Sequence, residues 1–351
     1  MSLINPGDEL RKIQVTGGST YIISLPKTWV EQMGLHKGNV IRISQKDDMT
    51  LLLQPQGAEP SASIKKAIIN PAPNDTPEKI VRRIVSAYVM GYYIIQLRST
   101  QKRIDSEQRF TVKDFTRKKL VGTEILSDLP QELTLQVLLS YSELSVKDAL
   151  RRMSVIAASM HRDSIMALGT EDTHLAREIV SMDDEVDRFN LYIIRLLKVA
   201  VSDSYVLKES GLRSQRECLG YRLITKSVER MADHAVNIAQ NRLELTLSTP
   251  NPEILAELQK LSDIALEVFE TSMEAVFEED YMEADRVLEK AQQARGMEAE
   301  VIHQIVKHAP PEEVPALRLI VESILRTAEY GTDIAEVVLN MTVKDAITEI
   351  E

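Results

Sequence analysis

The C-terminal half of the chain has its apolar residues at the spacing of amphipathic α-helices. They recur every three or four positions between residues 179 and 193, and the same spacing returns at 224–238 and 264–276. Side chains three and four positions apart lie on one face of a helix, so each stretch predicts a helix with one buried face. We therefore expect long, packed helices from Ser145 onward.

The N-terminal segment has the pattern of short strands instead. Runs rich in Ile, Val, Leu and Tyr are separated by turn formers such as Gly17-Gly18, and Pro26 and Gly34 bracket a short predicted helix, 27–33. The predicted strands are 12–15, 21–25, 40–43 and 49–53. A unit of about 50 residues with so few aromatic side chains has little core of its own, so we expect it to pair with a second copy.

The middle of the chain predicts a connection followed by a small α/β segment. Residues 54–76 are rich in proline, which is typical of a linker. A helix, a strand, a second helix and a second strand are predicted after it, at 77–92, 93–97, 107–121 and 133–139.

The helical half contains one unit twice. A shift of 108 residues aligns 154–176 with 262–284, and a shift of 96 aligns 222–239 with 318–335. The difference between the two shifts falls in the polar stretch 201–216, where an insertion costs little. Each copy then has three helices, and the fold class is mainly α with a duplicated three-helix unit forming a six-helix array.

Composition and charge narrow the possible roles. Hydrophobic residues are 44% of the chain, and no apolar run reaches the length of about 18–20 residues that spans a bilayer. Cys218 is the single cysteine, so a disulfide and a multi-cysteine metal site are excluded, and a cytoplasmic location is expected. The net charge of −11 combines a neutral 1–60, +6 in 61–130 and −17 in 131–351. The acidic part disfavours nucleic acid and suits cations.

Two predicted helices of the first copy carry acidic residues one turn apart. Asp183 precedes Asp187 by four positions, and Glu229 precedes Asp233 by four, so each pair projects from one side of its helix. Carboxylate oxygens suit hard or borderline cations, and neighbouring acids repel one another unless a cation lies among them. The other interpretation is a solvated acidic face, which is common in a segment of this charge.

The second copy keeps an acid at only one of the four equivalent positions. Ala291, Arg295, Leu325 and Glu329 occupy the aligned positions, so we expect no matching cation cluster there. His234 points to another side of its helix and is interpreted as a partly packed polar residue. Phosphate-binding glycine loops, zinc-protease motifs and nucleophile elbows are missing from the sequence, which predicts a protein that is not an enzyme.

The helical half resembles the PhoU family of phosphate-uptake regulators. The resemblance covers residues 145–345 and is carried by the duplication, by D-D-E-V-D at 183–187 and by E-R-M-A-D-H-A-V-N-I-A at 229–239. It implies metal clusters on the bundle surface, here at Asp183, Asp187, Glu229 and Asp233, holding iron, manganese, magnesium or zinc. It also implies a regulator that links a phosphate ABC transporter to a sensor protein.

The N-terminal segment resembles the SpoVT/AbrB-type swapped-hairpin domain. The resemblance rests on residues 17–43, and the order of all three parts is similar to an archaeal branch of PhoU-like proteins. It implies a homodimer formed through this domain and, in many members, DNA binding by basic residues, here Arg11, Lys12 and Lys27. The short helix lacks the arginine pair of familiar DNA-binding members. The resemblance therefore supports dimerisation more strongly than DNA binding.

These observations give an order of parts and three functional hypotheses. The predicted parts are a swapped-hairpin domain at 1–56, a linker and α/β segment at 57–144, and three-helix repeats at 145–248 and 249–351. The leading hypothesis is a dimeric, metal-loaded regulator of phosphate uptake. The second is a DNA-binding transcriptional regulator whose helical half is a sensor. The basic middle segment favours this hypothesis. The other interpretation of that segment is a solvated face, or a face that lies against the acidic helices. The third is a scaffold without metal.

Overall fold

The computed structural model describes residues 9–45, 49–55, 65–139, 141, 143–171, 173–245 and 249–348. The chain divides into two units, residues 1–63 and residues 64–351.

The N-terminal unit consists of two hairpins and a short helix. Its elements are β1 (Gln14–Thr16), β2 (Thr20–Ile22), α1 (Lys27–Gln32), β3 (Ile41–Gln45) and β4 (Leu51–Pro55). The four predicted strands and the predicted helix are therefore present, with slightly shifted ends. β1 pairs with β2 and β3 pairs with β4, both antiparallel. Gly17 and Gly18 have φ of 61° and 84°, the left-handed backbone that a tight turn between twisted strands requires.

This unit buries almost nothing by itself. Within its described residues only Pro26 is buried, while Tyr21 is 74% and Ile43 is 62% exposed. The two hairpins form separate two-stranded sheets in the described part of the chain, so their outer strand edges are unpaired. A hairpin of this size is at best marginally stable by itself.

The α/β segment forms one sheet with two helices. Its elements are β5 (Lys66–Ile69), α2 (Pro77–Val89), β6 (Ile94–Arg98), α3 (Ser106–Lys119), β7 (Thr123–Leu129) and β8 (Glu132–Val137). The strand order is β5-β6-β8-β7, with β5 parallel to β6 and the other pairs antiparallel. The core joins Ile80 and Ile84 of α2 to Ile95, Leu97 and Leu135 of the sheet. Strands β5 and β7 were not predicted from the sequence.

Six long helices and one short one make up most of the rest of the described C-terminal unit. They are α4 (Val146–Leu168), α5 (His174–Ser202), α6 (Ser204–Glu209), α7 (Glu217–Glu244), α8 (Pro252–Glu278), α9 (Tyr281–His308) and α10 (Val314–Thr342). Apart from the short α6, they give three helices to each copy, and the predicted mainly α fold class is confirmed.

The two copies share one hydrophobic core. Buried residues from α4 through α10 form a single cluster, in which α10 packs against α7, α8 and α9. Gly331 allows α10 to approach α8 closely, because a Cβ there would lie 2.9 Å from Val268 Cγ1 and 3.0 Å from the Phe269 nitrogen. None of the helices in the described ranges combines the length and the hydrophobicity that a membrane-spanning segment needs.

Candidate metal centre

The four predicted ligand residues lie on two neighbouring helices. Helices α5 and α7 pack together, with Val186 and Ile193 of α5 and Val228 and Met231 of α7 buried in the common core. This packing fixes the rotation of both helices. It leaves the acidic residues at the edge of the buried faces, where Asp183, Asp187 and Glu229 are partly buried and Asp233 is exposed.

The structure places the carboxylates of α5 and α7 close enough to repel one another. Burial, followed by repulsion from Asp187, raises the pKa of Asp183 to about 6, and Glu229 of α7 contributes to this shift. Partial burial and then repulsion from Glu229 and Asp183 raise the pKa of Asp233 to about 6. Each shift reports negative charges that crowd one another in a partly desolvated place.

One carboxylate oxygen of this cluster is shielded from solvent and accepts no hydrogen bond from the described residues. Asp183 Oδ1 is buried and has no hydrogen-bond partner in the described part of the chain. A buried acceptor without a donor is costly, so native structures rarely keep one without a compensating group. A cation or a hydrogen-bond donor at Asp183 Oδ1 would satisfy this acceptor.

Two lysines contact Asp187 and Glu229 of the cluster, and one of them also contacts the neighbouring Asp184. Lys119, the last residue of α3, places its Nζ 2.5 Å from Asp184 Oδ1 and 2.8 Å from Asp187 Oδ2. Lys226 of α7 forms an ion pair with Glu229 one turn further along the same helix. The contact by Lys119 is the one expected if the basic middle segment lies against the acidic helices.

The donor chemistry of the cluster fits a hard cation, whereas its present geometry does not close around one. All four residues offer carboxylate oxygens, and Asp183 has an unused one. No group of three or more His, Cys, Asp or Glu among the described residues is arranged to hold a metal ion. Two of the four carboxylates, those of Asp187 and Glu229, bond to lysine ammonium groups in this arrangement.

The equivalent face of the second copy has different chemistry. A groove of about 540 Å³ lies there, and its lining includes Leu319 and Leu325 together with Arg318 and Arg326 of α10. Arg326 Nη1 lies 2.7 Å from Glu329, the residue aligned with Asp233. Glu329 also acts on the next acid of its helix, since the pKa of Asp333 is raised by burial and by repulsion from Glu336 and Glu329.

His234 lies beside Asp233 but is engaged elsewhere. Its Nδ1 shares a hydrogen bond of 3.2 Å with Ser323 Oγ, and its Nε2 shares one of 3.3 Å with the Tyr330 hydroxyl, both on α10. Burial lowers the pKa of His234. The prediction of a partly packed polar residue is confirmed, and this histidine connects the two copies.

The basic residues predicted for DNA binding are exposed on the N-terminal unit. Arg11 forms an ion pair with Glu9, and Lys27 Nζ lies 3.6 Å from Glu31 Oε1. Lys12 is exposed. Two of the three cations therefore have an acidic partner within the same short unit, which reduces the net positive field toward a phosphate backbone.

Sequence reasoning missed Lys119, Lys226 and Asp184 as members of this cluster. Lys226 had a local signal, because it precedes Glu229 by three positions on one helix face. Lys119 had only the general signal of a basic run, and its contact with Asp187 spans 68 residues of sequence. Such a contact depends on how α3 packs against α5.

Comparison with protein families gives two matches. Residues 150–241 and 258–338 match the PhoU domain, which covers the duplicated helices once per copy. Residues 14–61 match the family described as antidote-toxin recognition MazE, bacterial antitoxin.

The comparison with individual proteins gives a relative that is similar to part of this chain. Over 142 residues the chain is 28% identical to a protein of Borreliella burgdorferi described as a phosphate-specific transport system accessory protein PhoU homolog. The match covers 39% of this chain and 61% of that relative, so the chain spans about three fifths of the relative's length.

Two solved structures are also similar. PhoU from Pseudomonas aeruginosa has a TM-score of 0.49 at 17% identity, over 56% of this chain and 95% of that one. The phosphate transport system regulatory protein PhoU from Streptococcus pneumoniae has a TM-score of 0.49 at 15% identity, over 58% and 96%. The family comparisons thus place the chain's similarity in two parts: the duplicated helices match the PhoU domain, and the N-terminal segment before them matches the MazE antitoxin family.

Proposed function

We propose that this protein is a non-enzymatic, cytoplasmic regulator of phosphate uptake that acts through protein partners. The observation that carries the proposal is the match of both helical repeats to the PhoU domain. The named relative, an accessory protein of phosphate-specific transport, supports a phosphate ABC transporter or its sensor as the partner.

The proposal includes a cation held between α5 and α7. Asp183, Asp187, Glu229 and Asp233 would provide its ligands, and a metal ion bound there would neutralise their mutual repulsion and tie the two helices together. The unpartnered Asp183 Oδ1 and the raised pKa of Asp183 and Asp233 support this assignment. Magnesium, manganese and iron are the candidates that favour oxygen ligands, and zinc is a further candidate.

Replacing Asp187 and Asp233 together by alanine is expected to remove the metal from the full-length protein. Loss of even an outer-shell partner typically lowers metal affinity by about 10–100-fold, and this variant loses four ligand oxygens. Elemental analysis of protein purified without a histidine tag measures the metal per chain. In cells that lack the wild-type chain, the same variant is expected to leave phosphate uptake unrestrained.

The matched control uses the aligned positions of the second copy. Arg295→Ala with Glu329→Ala is expected to keep the metal content of the wild type, because these positions lack the acidic pair. Equal metal in D187A/D233A and wild-type protein would mean that the ligands are wrongly assigned. Unchanged phosphate uptake after deletion of the whole chain would contradict the regulatory role itself.

We also propose that the N-terminal unit forms a homodimer. Its strands expose Val15, Tyr21, Ile43 and Leu51, each by more than half of its surface, and its two hairpins leave strand edges unpaired within the described residues. A second copy would cover these side chains and pair those edges. Burial of apolar area at about 25 cal/mol per Å² then supplies the stability that one copy lacks.

Tyr21→Glu with Ile43→Glu is expected to convert the dimer to monomers. Two carboxylates placed in an apolar interface should weaken association by about 100-fold, equal to about 2.8 kcal/mol. Light scattering after size exclusion measures the mass against 39.6 kDa for one chain. Val155→Glu, at a residue 64% exposed on α4, is the control and should remain dimeric. A wild-type protein that is monomeric at micromolar concentration contradicts the proposal.

DNA binding is the second candidate function. The match of residues 14–61 to an antitoxin family favours it. The acidic partners of Arg11 and Lys27 weigh against it, since specific DNA binding depends on cations that are available to phosphates. We therefore place it behind the role in phosphate uptake.

A further inference from the structure

Lys119 joins the α/β segment to the acidic cluster of the helical array. It ends α3, its side chain is only 14% exposed, and its ammonium group bonds Asp184 and Asp187 of α5 at 2.5 and 2.8 Å. Charge-assisted bonds of this length between partly buried groups are stronger than exposed surface pairs. The α/β segment therefore inserts its own cation among the carboxylates.

The ammonium group and a metal ion would compete for the same ligand. A metal ion binds carboxylate oxygen at about 2.1 Å, while Lys119 Nζ lies 2.8 Å from Asp187 Oδ2. A metal ion on that oxygen would lie no more than about 5 Å from the ammonium group, and two cations at that distance repel strongly in a partly desolvated site. Only one of them is well accommodated at Asp187.

The second lysine of the cluster, Lys226, belongs to the same helix as its acidic partner, whereas Lys119 belongs to a different structural part. Lys226 lies on α7 itself, one turn from Glu229, so its displacement would move only its own side chain. Lys119 belongs to α3, which packs against α5 from the α/β segment. Displacement of Lys119 would therefore release a contact between two structural parts of the unit.

We propose that Lys119 is a tethered competitor of the metal ion, and that metal binding at Asp187 displaces it and loosens the end of α3 from α5. The inference rests on the metal site proposed above. It makes the position of the α/β segment depend on the cation state of the helical array. The buried contacts of α2 with α5 would hold the segment in place while the end of α3 moves.

Titration of the full-length protein with Mn²⁺ alone tests the competition. Lys119→Met removes the charge but keeps the length of the side chain, and it is expected to bind Mn²⁺ at least about tenfold more tightly than the wild type by calorimetry. Lys118→Met is the matched control, because Lys118 Nζ pairs with Asp114 at 2.9 Å. It should bind Mn²⁺ as the wild type does.

The outcomes separate this inference from the proposed metal site. If the wild type binds Mn²⁺ and K119M binds it no more tightly, the competition is refuted and the metal site stands. If neither protein binds Mn²⁺ or any other divalent cation, both are refuted.

Hydrogen exchange gives a second measurement, on the displacement. Saturating Mn²⁺ is expected to speed exchange in the last turn of α3, where the Leu120 amide donates to the Thr116 carbonyl at 3.2 Å. The first turns of α3 are the internal reference. Binding of Mn²⁺ with unchanged or slower exchange at that turn would overturn the displacement.

Discussion

Replacing Arg195 by alanine is expected to lower the free energy of unfolding of the C-terminal unit by about 3–5 kcal/mol. The Arg195 side chain is fully buried on α5. Its Nη1 donates to the carbonyl oxygens of Tyr88 and Tyr92, the latter at 3.0 Å. The guanidinium carbon lies 5.0 Å from the ring centroid of Tyr88 and 5.3 Å from that of Tyr93.

Three losses add up in this variant. The Tyr92 carbonyl loses its Arg195 donor, while the Tyr88 carbonyl keeps only the Gly91 amide at 3.1 Å. A buried acceptor without a partner costs about 1–3 kcal/mol. The positive charge that faces the negative end of the α2 dipole disappears. The missing side chain also leaves a cavity between α2 and α5, which the rigid helices fill only in part.

Chemical denaturation followed by far-ultraviolet circular dichroism measures this effect. The single tryptophan, Trp29, belongs to the N-terminal unit, whereas circular dichroism reports directly on the long helices of the C-terminal unit. Arg188→Ala, which removes a partly exposed side chain 3.7 Å from Glu185, is the control and should change stability by less than about 0.5 kcal/mol.

Arg195→Met distinguishes charge from volume. Arg195 Nε and Nη2 have no hydrogen-bond partner within the described residues, so part of its charge is uncompensated. Methionine fills much of the space without that charge, and R195M should be clearly more stable than R195A. Equal stability of R195A and the wild-type protein would show that the contact with α2 contributes nothing.

The sequence predicted the helical array well because its signal is repeated and long. Apart from the short α6, helices α4 to α10 each bury one face, so their apolar spacing is visible over many turns, and the duplication supports the same helices independently. Strands β5 and β7 were missed for physical reasons. β5 has four residues in a proline-rich region, and β7 follows α3 after a turn at Gly122 and contains a bulge between Ile125 and Ser127.

The candidate site was predictable only in part. Spacing placed Asp183 beside Asp187 and Glu229 beside Asp233, because positions four apart on one helix are neighbours in any tertiary structure. Spacing cannot show which helix faces which, so Lys119 and Arg195 were not assigned to contacts. Their partners lie 68 and 107 residues away, and such contacts are properties of the packing.

A second large effect is expected from acid, through a histidine between the two copies. His161 of α4 is fully buried, and its Nε2 shares a hydrogen bond of 2.9 Å with Ser262 Oγ of α8. Its Nδ1 shares one of 3.2 Å with Thr327 Oγ1 of α10. Burial, with a smaller effect of Arg162, lowers the pKa of His161 to about 4, so the ring is neutral in the folded protein.

The sign of the pH dependence follows from this shift. An unfolded histidine titrates near 6.5, so between about pH 6.5 and 4 the unfolded chain binds the extra proton. The contribution of His161 is complete above pH 6.5 and is lost as the pH falls, by up to about 1.4 kcal/mol per unit and about 3 kcal/mol in total. Asp183 and Asp233 act in the opposite direction, because their pKa is raised in the folded state.

The comparison of two variants separates the contribution of His161 to the pH dependence from that of Asp183 and Asp233. His161→Gln keeps a polar side chain without a titrating group, so its stability between pH 4 and 6.5 should lack the His161 contribution, while His303→Gln, at an exposed position, should keep it. Denaturation midpoints at half-unit steps of pH give both curves. Parallel curves for H161Q and wild type would mean that His161 does not titrate differently on unfolding. A steeper loss in the wild type, confined to the range below pH 6.5, identifies this one ring as the acid-sensitive contact that joins α4 to α8 and α10.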